Sequence, residues 1–227
     1  LAFRSLQGGL NTGKVVARVA WRRESAAGTQ VVTGGTGGLG LLTGRWLAQR
    51  GGARRLLLAS RGGALAVDTV DEWEAVRASG AATSLERCDA GEAVQVQRLL
   101  ASFAPSLQGV WHAAGVLADA VLPKQAAHGL ACVCAPKVHG AWPLHVMAAV
   151  RGAGAFVLFS SVAALLGGAA QANYAAANAG LDALASCRRA VGAVGTSVQW
   201  GAWAEVGMAA RGAASERMAA MEVASGF

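Results

Sequence analysis

The sequence predicts a doubly wound parallel α/β sheet, and three observations carry that prediction. Short, continuously apolar runs alternate with segments whose apolar residues recur at helical spacing, the pattern of strands buried on both faces. Six such runs lie between Thr29 and Trp200, each separated from the next by a helical segment. A glycine-rich turn stands between the first of these runs and the first helix, where such sheets form a crevice at the strand ends. The 31 glycines fall between apolar segments without a fixed period, as tight strand-to-helix turns require.

Val15–Trp21 reads as a strand, and the polar, small stretch Arg22–Gly28 reads as a junction. The regular pattern then begins with the strand Thr29–Thr33 and the helix Leu39–Arg50. Arg55–Ala59 is the second buried strand, Asp71–Ser79 the second helix and Ala82–Arg87 the third strand. Glu92–Phe103 is an amphipathic helix that leads to the strand Gly109–His112. Leu130–Val150 is mostly helical, although Pro136 and Pro143 lack an amide donor and should bend or divide it. Phe156–Ser160, the helix Asn173–Val191 and the strand Ser197–Trp200 complete the pattern.

Composition narrows the function. The 227 residues are 54% hydrophobic and 15% charged, which favours a packed domain over a disordered chain. The net charge of +7 comes almost wholly from arginine, because Lys14, Lys124 and Lys137 are the only lysines. No basic run interleaves with aromatic residues, so nucleic acid is not the expected partner. A moderate positive field suits small phosphorylated ligands or an acidic protein. Cys88, Cys132, Cys134 and Cys187 show no CxxC pair and no metal spacing with histidine. All four read as small buried hydrophobes in a reducing, cytoplasmic setting, and no metal is expected. Mean hydropathy is +0.39, yet the most apolar region, Ala153–Leu184, is interrupted by Ser160, Ser161, Gln171 and Asn178 and does not read as a membrane span. The start at Leu1, without methionine, reads as a fragment.

The turn runs Thr33-Gly34-Gly35-Thr36-Gly37-Gly38-Leu39-Gly40. Glycine allows positive φ there, and the missing side chains let backbone N–H groups and a helix N-terminus approach a pyrophosphate. A dinucleotide is therefore expected, with Thr33, Gly34, Thr36, Gly37, Gly38, Leu39 and Gly40 around it. An NAD site usually has Asp or Glu at the end of the next strand to bind ribose hydroxyls. Here that position reads Ser60-Arg61, and Arg61 can pair with a 2′-phosphate, so NADPH is favoured.

Tyr174, the single tyrosine, lies thirteen residues after Ser161 and four before Asn178, so Tyr174 and Asn178 share a helical face. Reducing a ketone by hydride makes an alkoxide, which needs a proton donor and hydrogen-bond donors aimed at the oxygen. Tyr174 can supply the proton, and an ammonium nearby, from Lys137, is expected to lower its pKa. Ser161 can hold the substrate carbonyl, and Asn178 can position Lys137 or an ordered water.

Together, Thr33–Gly40, His112-Ala113-Ala114-Gly115, Phe159-Ser160-Ser161 and Tyr174-Ala175-Ala176-Ala177-Asn178 resemble the short-chain dehydrogenase/reductase superfamily. More narrowly, they are similar to the ketoreductase domains of modular polyketide synthases and multifunctional fatty acid synthases. Most of the superfamily carries Tyr–x3–Lys, whereas this group carries Tyr–x3–Asn and takes its lysine from an earlier helix, which Ala135–Gly140 resembles through Lys137. The resemblance covers about Gly28–Ala209.

The resemblance implies a Rossmann-type fold and reduction of a 3-ketoacyl thioester carried by an acyl carrier domain, in polyketide or fatty acid biosynthesis. It makes Tyr174 the proton donor, Ser161 the carbonyl anchor, and Lys137 and Asn178 the rest of a tetrad. Asp89, after Cys88, would accept from the adenine amino group, although Ala90 replaces the family's valine. Ala113, Ala114 and Gly115 would line the cofactor cleft. Trp200-Gly201-Ala202-Trp203 resembles the segment flanking the nicotinamide, where a mobile lid begins. Members with one stereochemical outcome carry Leu-Asp-Asp after His-Ala-Ala-Gly. This chain reads Leu117-Ala118-Asp119, and the expected product is a D-configured 3-hydroxyl.

Residues 1–24 resemble the tail of a medium-chain enoyl reductase domain, leaving 25–227 for the ketoreductase-like domain, with neighbouring megasynthase domains as partners. Relatives continue for roughly one more helix and strand, so the C-terminal end is expected to be incomplete. The competing readings are a non-catalytic structural domain of a megasynthase and a free-standing reductase of small ketones.

Overall fold

The computed structural model describes residues 28–66, 69–102 and 107–201. Its strands are β1 (Thr29–Thr33), β2 (Arg55–Ser60), β3 (Ala82–Arg87), β4 (Leu107–His112), β5 (Ala155–Ser161) and β6 (Thr196–Trp200). They form one sheet in the order β3-β2-β1-β4-β5-β6, and every pairing is parallel. The doubly wound Rossmann-type sheet expected from the alternating pattern is the one observed, with strand ends displaced by one or two residues. The expected strand Val15–Trp21, the enoyl reductase-like tail and the chain beyond Gly201, including the lid segment, lie outside the described residues.

The helices are α1 (Gly38–Gln49), α2 (Val70–Ala78), α3 (Ala93–Ala101), α4 (Ala127–Cys134), α5 (Gly140–Val150), the single turn α6 (Ala163–Leu166) and α7 (Ala172–Ala190). Alternation along the strands divides the core between the two faces of the sheet. Val31, Leu57, Val110, Phe156 and Leu158 pack with residues of α3, α5 and α7. Val32, Leu56, Leu58, Trp111 and Phe159 pack with Leu41 and Leu47 of α1 and Val76 of α2. On this second face a cavity of about 390 Å³ lies between α1 and β4–β6, lined by Trp46, Trp111, Phe159, Val198 and Trp200 among others. No described helix is long and apolar enough to cross a membrane.

Pro136 divides the helix, as expected: Ala135–His139 forms a π-turn between α4 and α5, with the Gly140 N–H reaching the Ala135 carbonyl five residues back. Proline removes one ladder donor, and the wider turn redistributes the remaining bonds. Two other expectations, for Pro143 and for the cysteines, are corrected. Pro143 is accommodated within α5. The cysteines are not uniformly buried either, since Cys88 is buried, Cys134 half-buried, and Cys132 and Cys187 exposed. Cys132 and Cys187 lie on amphipathic helices, where the sequence pattern that buries one face exposes the other.

Candidate active site

Strand order reverses between β1 and β4, so the segments after these two strands diverge and leave a crevice at their C-terminal ends. The glycine turn follows β1 and Ala113–Gly115 follows β4. The two lips touch through Gly34, whose φ is +69° and where an added Cβ would stand 2.8 Å from the Ala113 carbonyl and the Ala114 nitrogen. A Cβ on Gly40 would collide with the Gly34 carbonyl oxygen. These glycines are therefore required for the turn to close, and α1 starts immediately after Gly37 with no side chain capping its N–H groups. Those donors are left to a ligand or to water.

Around this turn the other expected cofactor residues gather. The Ser60 carbonyl accepts the Cys88 N–H at 2.9 Å, and the Ser60 hydroxyl accepts the Gly63 N–H at 3.1 Å. Arg61 follows on the exposed rim. Register pairs Ser60 with Arg87, bringing a second exposed arginine to the same strand ends. Sequence reading missed Arg87, because its neighbourhood depends on the β2–β3 register. One Asp89 carboxylate oxygen accepts the Gly91 N–H at 2.9 Å. Burial, reinforced by the Asp89 charge, pushes the Cys88 thiol up to about 11, so Cys88 packs as a neutral group.

The second half of the site is assembled from three elements. Lys137 comes from the π-turn, Ser161 from the end of β5, and Tyr174 and Asn178 from α7. The buried Lys137 Nζ donates to the Phe159 carbonyl at 3.0 Å and lies 5.2 Å from the centre of the Tyr174 ring. Burial lowers its pKa to about 8, against the opposing charge of Asp182, so the ammonium persists at neutral pH. The Asn178 amide nitrogen donates to the Tyr174 carbonyl at 2.8 Å, while its buried Oδ1 accepts from no described residue.

The phenol departs from expectation. Its pKa is raised, not lowered: burial dominates, the Asn178 and Ser161 side chains pull against it, and the Asp119 charge adds to the rise. Lys137 spends its hydrogen bond on the Phe159 carbonyl and stands by the ring, which leaves desolvation in control.

His112 is buried behind this set, where sequence placed it only in a cofactor-lining segment. Its Nδ1 meets the Thr33 hydroxyl at 2.7 Å and its Nε2 meets the Lys137 carbonyl at 3.0 Å. A carbonyl only accepts, so Nε2 carries the proton and Nδ1 accepts from Thr33. Burial is the largest cause holding the ring neutral, with a pKa of about 4. His112 thus braces the end of β1 against the π-turn.

The segment bearing Leu117 and Asp119 is tied to the start of α7. Asn173 Nδ2 donates to the Ala118 carbonyl at 2.7 Å, the Ala120 N–H to the Ala170 carbonyl at 2.9 Å, and Gln171 Nε2 to both Asp119 oxygens at 3.4 Å. Ala170 holds φ +62°, a strained conformation for a residue with a Cβ, beside this junction.

Known proteins resemble this chain in sequence and in fold. The sequence profile of the KR domain family matches residues 28–205. The spectinabilin polyketide synthase system protein NorB of Streptomyces orinoci is 46% identical over 211 residues, covering 91% of this chain and 10% of that protein. The pikromycin polyketide synthase component PikAII of Streptomyces venezuelae is 41% identical over 208 residues, 90% of this chain and 6% of that protein. A solved A1-type ketoreductase superposes with a TM-score of 0.80 at 39% identity, covering 87% of this chain and 42% of that one. The first ketoreductase of the tylosin polyketide synthase gives 0.75 at 42% identity, covering 85% and 42%. The chain thus spans a tenth or less of these synthase proteins and under half of these solved ketoreductases. On the profile match, these identities and the shared sheet, the chain belongs to the KR domain family, whose matched relatives are modular polyketide synthases.

Proposed function

We propose that the chain reduces a 3-ketoacyl thioester, presented by an acyl carrier domain of the same megasynthase, to the 3-hydroxyacyl thioester with NADPH. The observation that carries this reading is the convergence of Lys137 from the π-turn, Ser161 from β5, and Tyr174 and Asn178 from α7.

The cofactor fits the residues present. The glycine turn and the uncapped start of α1 suit a pyrophosphate, and Arg61 with Arg87 suits a 2′-phosphate at a strand end that lacks a carboxylate. When bound, the dinucleotide supplies the hydride. The second Asp89 oxygen, which no described residue bonds, is left for an adenine amino group, and Ala113–Gly115 form the opposite lip.

The raised pKa keeps the Tyr174 phenol protonated at neutral pH, as a donor must be. Ser161 Oγ and the phenol hold the ketone oxygen, and the phenol proton passes to that oxygen as the alkoxide forms. The resulting phenolate is stabilised by the Lys137 ammonium and by the amide of Asn178. The free Asn178 Oδ1 leaves an acceptor for a bound water or hydroxyl.

Leu117 and Asp119, held to the start of α7, flank the acyl chain and set which ketone face is presented. The test is turnover of a simple 3-ketoacyl thioester with NADPH and NADH, followed by chiral analysis. Preference for NADPH and a D-configured 3-hydroxyl are expected. An absence of reduction overturns the activity, and an L product overturns the stereochemical assignment.

A further inference from the structure

His112 ends β4 and is the register partner of Thr33, the last residue of β1. The strand order reverses between these two strands, so one partner leads into the glycine turn and the other into the Ala113–Gly115 lip. A buried neutral imidazole needs one donor and one acceptor. Here Nδ1 accepts from the Thr33 hydroxyl at 2.7 Å, and Nε2 donates to the Lys137 carbonyl at 3.0 Å. Both partners belong to the site: Thr33 opens the cofactor turn, and Lys137 carries the ammonium.

Lys137 is held at two points. Its Nζ donates to the Phe159 carbonyl of β5 at 3.0 Å, and its backbone carbonyl is held by the β4 ring. The same carbonyl also accepts the Gly140 N–H. Pro136, one residue earlier, offers no N–H to the preceding turn, so the helical ladder is thinnest where His112 makes its contact. A lysine side chain is long and flexible. A shift of its backbone therefore either moves the ammonium, which lies 5.2 Å from the centre of the Tyr174 ring, or pulls it from Phe159.

We propose that His112 is a positioning residue for ketone reduction: its Nε2–H fixes the backbone of Lys137 in register with the cofactor turn, and so places the ammonium beside Tyr174. This rests on the reading of Lys137 as part of the ketone-reducing set. The two ends of the ring can be separated by substitution. An asparagine amide occupies the region of Nδ1, so His112→Asn keeps the acceptor for Thr33 and falls short of the Lys137 carbonyl. A glutamine amide nitrogen reaches the region of Nε2, so His112→Gln keeps the contact with Lys137. At saturating NADPH and 3-ketoacyl thioester, His112→Asn should lower kcat about 10- to 100-fold. Its NADPH dissociation constant should stay within about threefold of native. His112→Gln should keep kcat within about threefold of native, although both variants are less stable than the native chain.

Turnover is read well below the unfolding midpoint of each variant, so a merely structural loss moves the midpoint and leaves kcat unchanged. Equal kcat in the two variants, whether native or reduced, overturns the proposal. The native chain gives a second measure that depends on neither variant folding. With four histidines in the sequence, ¹⁵N-histidine labelling resolves the His112 ring. A neutral ring with its proton on Nε2 is expected at neutral pH, and a proton on Nδ1 overturns the proposal. Unchanged turnover in Tyr174→Phe overturns the ketoreductase reading instead, and leaves the ring's tautomer as an independent result.

Discussion

The two halves of the site are built from different materials. On the β1–β2–β3 side, the crevice is made of backbone: a turn that closes because Gly34 and Gly40 carry no Cβ, and a helix start left uncapped. On the β4–β5–β6 side it is made of buried or half-buried side chains, with His112 held by Thr33 and the Lys137 carbonyl, and Lys137 by the Phe159 carbonyl. The first half is broken by adding atoms, the second by removing them. A glycine turn can be specified within eight residues, whereas the chemistry opposite it needs residues 112, 137, 161, 174 and 178 to converge.

The largest test of this contrast concerns His112. Its ring titrates near 6.5 in an unfolded chain and at about 4 in the fold. Between these values the unfolded state binds a proton that the folded state refuses, so stability falls as pH drops from about 6.5 to about 4. The loss should approach about 3 kcal/mol. Denaturant midpoints at several pH values, for the native chain and His112→Gln, measure it. The variant should be less stable at neutral pH and should lack this part of the acid slope, and an identical slope would place the ring outside the folded bracket.

Gly40→Ala comes next. Its Cβ falls on the Gly34 carbonyl, an overpacking that costs about 1–3 kcal/mol and so weakens NADPH binding by up to about 100-fold. Fluorescence titration of the cofactor reads this directly, and native affinity would show that the turn tolerates a side chain. Smaller still is Arg61→Ala, which should weaken NADPH about tenfold while sparing NADH. Arg87→Ala should do the same to a lesser degree. A parallel loss for both cofactors would mean that neither arginine reads the 2′-phosphate.

The same contrast explains what was legible in the sequence. The sheet was, because its inner strands carry apolar runs such as Leu56–Ala59 and Phe156–Phe159, with helical periods between them. The glycine turn was, because its requirement is local. Ser161, Tyr174 and Asn178 could be picked out by spacing and by likeness to known ketoreductases. What stayed hidden depends on register or on burial. Arg87 joins Arg61 only through the β2–β3 pairing, and Asp182 binds Ser197 and Gln199 only because α7 packs on β6. The direction of the Tyr174 shift was misread because sequence shows which charge is near but not how much water is excluded. Exposure of Cys132 and Cys187 was misread for the same reason.

Tyr174→Phe, assayed for both halves at once, tests the central claim most directly. The substitution removes one hydroxyl from the side-chain half and nothing from the glycine turn. Reduction of a 3-ketoacyl thioester should fall by about 100- to 10,000-fold, while the NADPH dissociation constant stays within about threefold of native, a change under 1 kcal/mol. Turnover near the native rate would contradict the assignment of Tyr174 as proton donor, and loss of NADPH binding alongside turnover would contradict the division of the site into two halves.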